Sequence, residues 1–262
     1  MSAKDEGGNL SFSSGNDAPL WAQVNANWYT NSGTESSYVF GVMGGHTSLS
    51  ENLLLGGMFQ FDLQNEINGA ATVSGEGWLV GPYFVAKLPD QPLYFEGSVL
   101  YGQTLNQISP FGTYTDTFTT ERWLATLGVS GQFERDKLTL IPSLDASYTT
   151  DAQAAYVDGL GNPIAAQSIS LAQITTGMDF EMPIGEVTIL NGGVSGIWSY
   201  SEGTGVAETV VPGFVGGRAR VDLGVNHRIN AGSALSFAGY YDGIGAPDYT
   251  GYGVELKWDV NF

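Results

Sequence analysis

Tyr249–Phe262 reads YTGYGVELKWDVNF, and its spacing decides the fold. Tyr252, Val254, Leu256, Trp258, Val260 and Phe262 fall on every second position, with Gly253, Glu255, Lys257, Asp259 and Asn261 between them. Successive side chains of a strand point to opposite faces, so this segment has one wholly apolar face and one polar or charged face. A half-buried strand of a water-soluble sheet is usually about five or six residues long. A tilted strand crossing a bilayer needs roughly 9–11 residues, a length this segment supplies. The spacing predicts a membrane strand with lipid against its apolar side.

The same pattern recurs upstream. Ala22, Val24, Ala26 and Trp28 alternate with Gln23, Asn25 and Asn27, and Tyr38, Phe40, Val42 and Gly44 follow as the apolar face of a second segment ending near His46. Leu53, Leu55, Gly57, Phe59, Phe61 and Leu63 lie opposite Gln60, Asp62 and Gln64. Trp123, Ala125, Leu127 and Val129 oppose Arg122, Thr126 and Ser130, and Ala219, Val221, Leu223 and Val225 oppose Arg218, Arg220, Asp222 and Asn226. Twelve such segments can be counted between Trp21 and Phe262. Tight turns follow the even ones (Ser48–Asn52, Pro89–Pro92, Glu134–Lys137, Pro183–Glu186, Asn230–Ser233), and longer connections follow the odd ones, among them Asn65–Ser74, Thr150–Gln167 and Asp242–Asp248. An all-β, twelve-stranded antiparallel up-and-down transmembrane β-barrel has this alternation, with short turns at one rim and long loops at the other. Greek-key sandwiches do not produce it regularly. Pro82 and Pro142, inside predicted strands, are expected at bulges.

Composition agrees. The 262 residues include 37 glycines and 32 aromatic residues (13 Tyr, 13 Phe, 6 Trp), with only 14% charged, and mean hydropathy is −0.03. No run approaches the roughly 18 apolar residues of a helical span, but a barrel needs none, because only alternate residues face lipid. A net charge of −18, from 27 acids and 9 bases, argues against nucleic acid as a partner. The absence of cysteine removes disulfides and thiolate chemistry. Residues 1–17 are small, polar and aperiodic and read as a flexible tether, with 18–262 the barrel. They lack the basic and apolar regions of a signal peptide, so an export signal is expected outside this sequence.

Aromatics gather near the predicted strand ends. Trp28, Tyr38, Trp78, Tyr101, Tyr148, Trp198, Tyr241 and Tyr252 belong to the long-loop rim, and Phe133, Phe180, Trp258 and Phe262 to the short-turn rim, as two interfacial belts. Parity assigns Glu96, Asp145, Asp179, Asp222, Glu255, Arg122, Arg218 and Arg220 to the lumen, where they would set its electrostatics. An excess of lumen acids would favour cations. The histidines, His46 and His227, share parity with apolar residues and are expected to face lipid near the short-turn rim. Two isolated imidazoles make neither a Ser–His–Asp site nor a metal ligand set, so no catalysis, metal or cofactor is expected.

Several stretches resemble the autotransporter β-domain of Gram-negative outer-membrane proteins. They are SLSENLLLGGMFQFD (Ser48–Asp62), GPYFVAKL…LYFEGSVLYGQT (Gly81–Thr104), RWLATLGVSGQFERDKLTLIPSLDASYT (Arg122–Thr149), YVDGLGNPI (Tyr156–Ile164) and the closing GYGVELKWDVNF. The resemblance implies an outer-membrane translocator that anchors an N-terminal passenger and helps export it. It also implies outer-membrane lipids as surroundings. The barrel-assembly machinery would read the terminal strand Tyr252, Val254, Leu256, Trp258, Val260 and Phe262. The family's helical linker before the first strand has no counterpart, because Gly7, Gly8, Gly15 and Pro19 make residues 1–20 a poor helix. A stand-alone, weakly cation-preferring channel without a passenger is the alternative reading.

Overall fold

Alternating segments become long antiparallel strands, because a strand with one apolar face in lipid must satisfy its backbone against neighbours on both edges. In the computed structural model, residues 2–6, 9–13, 20–205 and 214–260 are described; side chains are described for 20–205 and 216–260. The barrel strands are β1 (Leu20–Asn31), β2 (Thr34–Ser50), β3 (Leu53–Asn68), β4 (Ala71–Lys87), β5 (Leu93–Ser109) and β6 (Asp116–Gly131). They continue with β7 (Leu138–Gln153), β8 (Gln167–Pro183), β9 (Thr188–Thr204), β10 (Phe214–Asn230), β11 (Ser233–Ile244) and β12 (Tyr249–Val260). After a break at Gln132, Phe133–Arg135 carries the β6 edge on against β7.

Each strand pairs with its sequence neighbours, and β12 closes on β1 with Tyr249 opposite Asn31 and Val260 opposite Leu20. The result is a closed, twelve-stranded antiparallel barrel. Strands of 12–17 residues exceed what a bilayer crossing needs, so their ends stand in the interfaces or in water. The segment from Asn65 to Ser74, expected as a connection, is instead the paired upper ends of β3 and β4, turning tightly at Gly69 (φ 60°). The first hairpin turns on Ser32 (φ 49°) and Gly33 (φ 84°), both left-handed, as a two-residue turn matched to strand twist requires.

Pro82 sits where the β4–β5 ladder is interrupted, between Val80 opposite Tyr101 and Tyr83 opposite Ser98. A Cβ on the adjacent Gly81 would collide with the Val99 carbonyl, so the chains can approach here only through glycine. Pro142 stays in register opposite Met178 on its β8 edge, but on its β6 edge it falls in the interruption between Ser143 opposite Ser130 and Leu140 opposite Phe133.

Eleven strands carry the predicted face outward. The exception is β2, where Phe40 and Val42 are 3% exposed inside the barrel while Met43 is 60% exposed outside. Pairing explains the inversion. Val42 lies directly opposite Gln23 and Phe40 opposite Asn25, both inner residues of β1, and residues opposite each other share a face. Tyr38 and His46, with the same parity, are therefore inner residues. This corrects the expected lipid-facing positions of Tyr38, Phe40, Val42 and His46.

Upstream of the barrel, Ser2–Glu6 and Asn9–Ser13 pair as a two-stranded antiparallel sheet. The backbone of Asn9–Ser13 comes within 8 Å of β5, β6 and β7, Cα to Cα. Outer residues of those strands, among them Phe95, Val99, Leu127, Leu144 and Tyr148, remain 41–62% exposed, so the segment lies against the inner face.

Candidate functional site: the inner wall of the barrel

Long inner side chains reach past their neighbours over glycine. Near the short-turn end, Trp21 of β1 lies over Gly44 of β2, where a Cβ would meet the indole at 2.6 Å. Tyr83 of β4 lies over Gly56 of β3 in the same way. The two rings meet edge-on at 6.1 Å, and Trp21 Nε1–H donates to the Tyr83 hydroxyl at 3.0 Å. His46 Nδ1 is 3.0 Å from that same oxygen. Four strands are thus clasped from inside. An apolar cluster surrounds the clasp: Phe40, Val42, Leu54, Met58, Leu79, Val85 and Leu100, all on β2–β5.

Higher up, Arg122 of β6 crosses two strands to reach Asp62 of β3. Its Nη1 is 3.1 Å from both carboxylate oxygens, while Nε and Nη2 each lie 2.9 Å from Asp151 Oδ2. Gly102 of β5 and Gly77 of β4 lie between the partners, and a Cβ on Gly77 would sit 3.0 Å from Asp62 Oδ2. Asp62 is fully buried, so it needs such a partner.

A second network stands on β10 and β11. Arg218 Nε is 3.0 Å from both Asp242 oxygens, Arg220 Nη2 is 2.9 Å from Asp242 Oδ2, and Arg218 Nη1 donates to Ser199 Oγ at 2.8 Å. The Arg218 guanidinium stacks over Tyr249 at 5.0 Å and that of Arg220 over Tyr240 at 4.4 Å. Tyr240 in turn lies over Gly253 of β12 and donates to Asn27 Oδ1 of β1, so the closing seam is bridged from inside. Gln23 Nε2 donates to Glu255 Oε2 across the same seam at 3.1 Å, and Lys257 Nζ is 3.2 Å from Asp259 Oδ1.

The remaining predicted lumen acids form two pairs nearer the short-turn rim. Glu96 and Asp145 flank Gly128, directly opposite it from either side, and Asp179 and Asp222 flank Gly193 likewise. All eight predicted lumen residues are therefore inner residues. Their key partners are Asp62, Asp151 and Asp242. Asp62 has the lumen parity predicted for it, but Asp151 and Asp242 fall in stretches read as loops.

On the outside, Trp28 stacks on Tyr252 at 5.8 Å across the seam and Tyr101 packs on Trp123 at 4.8 Å. Trp28, Trp78, Trp198, Phe133 and Trp258 are 39–54% exposed, and Phe180 is half-buried on the same face. Tyr252, Val254, Leu256, Trp258 and Val260 form the outer row of β12, whereas Phe262 lies outside the described residues. His227 faces outward with Nδ1 3.0 Å from Thr188 Oγ1. Among the described residues, no group of three His, Cys, Asp or Glu is arranged to hold a metal ion.

Above the barrel, the loop from β7 to β8 folds on itself. Asp158 accepts hydrogen bonds from the Leu160 and Asn162 amides at 2.9 and 2.7 Å and from Asn162 Nδ2 at 2.9 Å. Those bonds hold its carboxyl below the usual aspartate range. Tyr156 donates to Asp116 Oδ2 at 2.6 Å, pinning the loop to β6; burial and that carboxylate push its hydroxyl well above the ordinary tyrosine value.

With this geometry in hand, solved structures of the same shape are informative. The translocator domain of autotransporter NalP from Neisseria meningitidis superposes with a TM-score of 0.76 at 14% identity, covering 95% of this chain and 90% of that one. This is the fold of the autotransporter translocator domains. The β-domain of the Bordetella autotransporter BrkA gives 0.70 at 15% identity over 94% and 100% of the two chains. The transport unit of AIDA-I from Escherichia coli gives 0.72 at 12% over 94% and 91%. An outer membrane channel from Pseudomonas putida is less similar, at 0.59 and 11% over 99% and 100%. No family model and no curated protein sequence matches the chain.

Proposed function

We propose that this barrel is the translocator domain of an autotransporter, holding an upstream passenger at the outer membrane of a Gram-negative cell and helping it to the surface. The observation that carries the reading is the Asn9–Ser13 backbone lying against the inner face of β5–β7, upstream of the first barrel strand. A chain that has to pass through the wall enters by that route. Similarity in shape to three translocators over nearly the whole chain supports it. The barrel itself is non-enzymatic: it satisfies every strand edge by closure and keeps a polar interior away from lipid. In this reading the outer row of β12, with Phe262, is what the assembly machinery engages, the aromatic belts sit at the lipid interfaces, and the lumen charges set the field along the route.

The test places an epitope upstream of Met1, behind an export signal, in a Gram-negative host. Protease and antibody access to the epitope on intact cells is the expected result. A correctly assembled barrel whose epitope stays inside the cell would overturn the reading. The weaker likeness to the Pseudomonas putida channel favours a second reading, a channel without a passenger. That reading predicts steady cation-preferring conductance in planar bilayers from the intact chain.

A further inference from the structure

One stretch of the outer aromatic belt carries polar side chains among its rings. On β4–β6, at the long-loop end, Gln103 stands between Trp78 and Glu121, directly opposite both. Two residues further into the membrane, Tyr101 stands directly opposite Trp123. All of these face outward: Trp78 and Trp123 are 39% and 50% exposed, Gln103 and Glu121 are exposed, and Tyr101 packs on Trp123 at 4.8 Å. Two strand spacings and one two-residue step give the face a span of roughly 10 by 7 Å. Across the barrel the belt is different. There Trp198 lies between Ile174 of β8 and Gly217 of β10, with no polar side chain directly opposite it.

The chemistry of the β4–β6 face selects a ligand. Flat aromatic faces, negative at the ring centre, take the C–H-bearing face of a sugar ring. An amide both donates and accepts and a carboxylate accepts, so Gln103 and Glu121 together match neighbouring sugar hydroxyls. Phosphate is disfavoured. Glu121 repels it, and among the described side chains every lysine and arginine faces the lumen or stands at the short-turn rim. An acyl chain would use none of these polar groups.

We infer that the outward face of Trp78, Tyr101, Gln103, Glu121 and Trp123 is a binding site for the uncharged saccharide headgroup of a membrane glycolipid, whose acyl chains lie along the apolar wall of β4–β6 beneath it. The leaflet concerned, the outer one, rests on the outer-membrane reading above; the chemistry of the face does not.

The full chain is reconstituted in phosphatidylcholine bilayers with or without digalactosyl diacylglycerol, whose headgroup is an uncharged disaccharide. Loss of heat-modifiable migration gives the unfolding temperature. The sugar lipid should raise it by roughly 4 °C or more, because a ligand that binds only the folded barrel stabilises it. Each variant is compared with itself in plain phosphatidylcholine, so that a general loss of stability does not count. The shift should vanish in Gln103→Leu/Trp123→Leu, fall by at least half in Glu121→Gln, and persist in Trp198→Leu. No shift in the unaltered chain, a shift that survives in the double variant, or one that Trp198→Leu also removes would overturn the site. An equal shift from a free galactose disaccharide would overturn the lipid as its source. A barrel that responds to the sugar lipid as expected but displays no epitope would lose only the export reading.

Discussion

β2 and β12 carry the same signature and use it in opposite senses. Each places aromatic or aliphatic side chains on alternate positions, yet Leu256 and Trp258 face out at 47% and 51% exposure while Phe40 and Val42 face in at 3%. The difference lies in what occupies the other parity. In β12 it holds Glu255, Lys257 and Asp259, which lipid cannot accept. In β2 it holds Ser37, Val39, Gly41 and Met43, which lipid tolerates, so pairing with β1 is free to decide. A strand's orientation in a barrel is thus fixed by the residues that cannot face lipid, and only weakly by those that could.

That comparison can be broken in several ways. Val42→Arg should have the largest effect: a guanidinium must displace the apolar cluster of Phe40, Leu54 and Met58 that Val42 packs in, at a cost of about 5 kcal/mol, enough to abolish folding in detergent or liposomes. Phe40→Ala should cost about 3–4 kcal/mol in urea titration of the folded barrel, against under about 1 kcal/mol for Met43→Ala. Equal losses would mean that β2 is not inverted. Leu256→Arg, in the lipid-facing row of β12, should cost about 2–3 kcal/mol in liposomes, because lipid-facing arginine is penalised by depth. Gly44→Ala sharpens the picture at the clasp, where the new methyl must displace the Trp21 indole; about 1–2 kcal/mol is expected, partly relieved by Trp21→Phe.

The smallest effect concerns the β7–β8 loop, a region whose form owes nothing to lipid. The Asp158 carboxyl is held below its ordinary value of about 4, so its contribution to loop order is present above that pH. It should be lost as acidification passes through the lowered folded value. Hydrogen exchange of the Leu160 and Asn162 amides as a function of pH checks this, and Asp158→Ala should give fast exchange at every pH.

The outer surface was legible in the sequence because lipid imposes a single rule at every second position. Interiors obey no such rule. Tyr38 and His46 were placed on the wrong side because an inner wall can itself be apolar, as around Leu79 and Val85. The upper ends of β3 and β4 looked like loop because strand residues beyond the lipid are as polar as any turn; Asn65 opposite Ser74 is still a ladder pair. The arginines of the candidate site and Asp62 are visible from parity, but the partners Asp151 and Asp242 are not. Asp151 and Asp242 sit near strand ends, where alternation fades. That Arg122 should choose Asp62, three strands away, follows from the glycines between them, which no local pattern encodes.

The flat-lying side chains over Gly44, Gly56, Gly77 and Gly253 carry an evolutionary implication. Strand number sets the circumference of a barrel, but the clear aperture depends on whether interior groups lie down or stand up. Exchanging one such glycine for a larger residue would tip a neighbouring ring, or at Gly77 the Asp62 carboxylate, into the lumen. At Gly44 and Gly253, where a Cβ would meet side-chain atoms alone, a lineage could in this way narrow or widen its conduit by single codon changes, leaving the hydrogen-bonded cylinder intact.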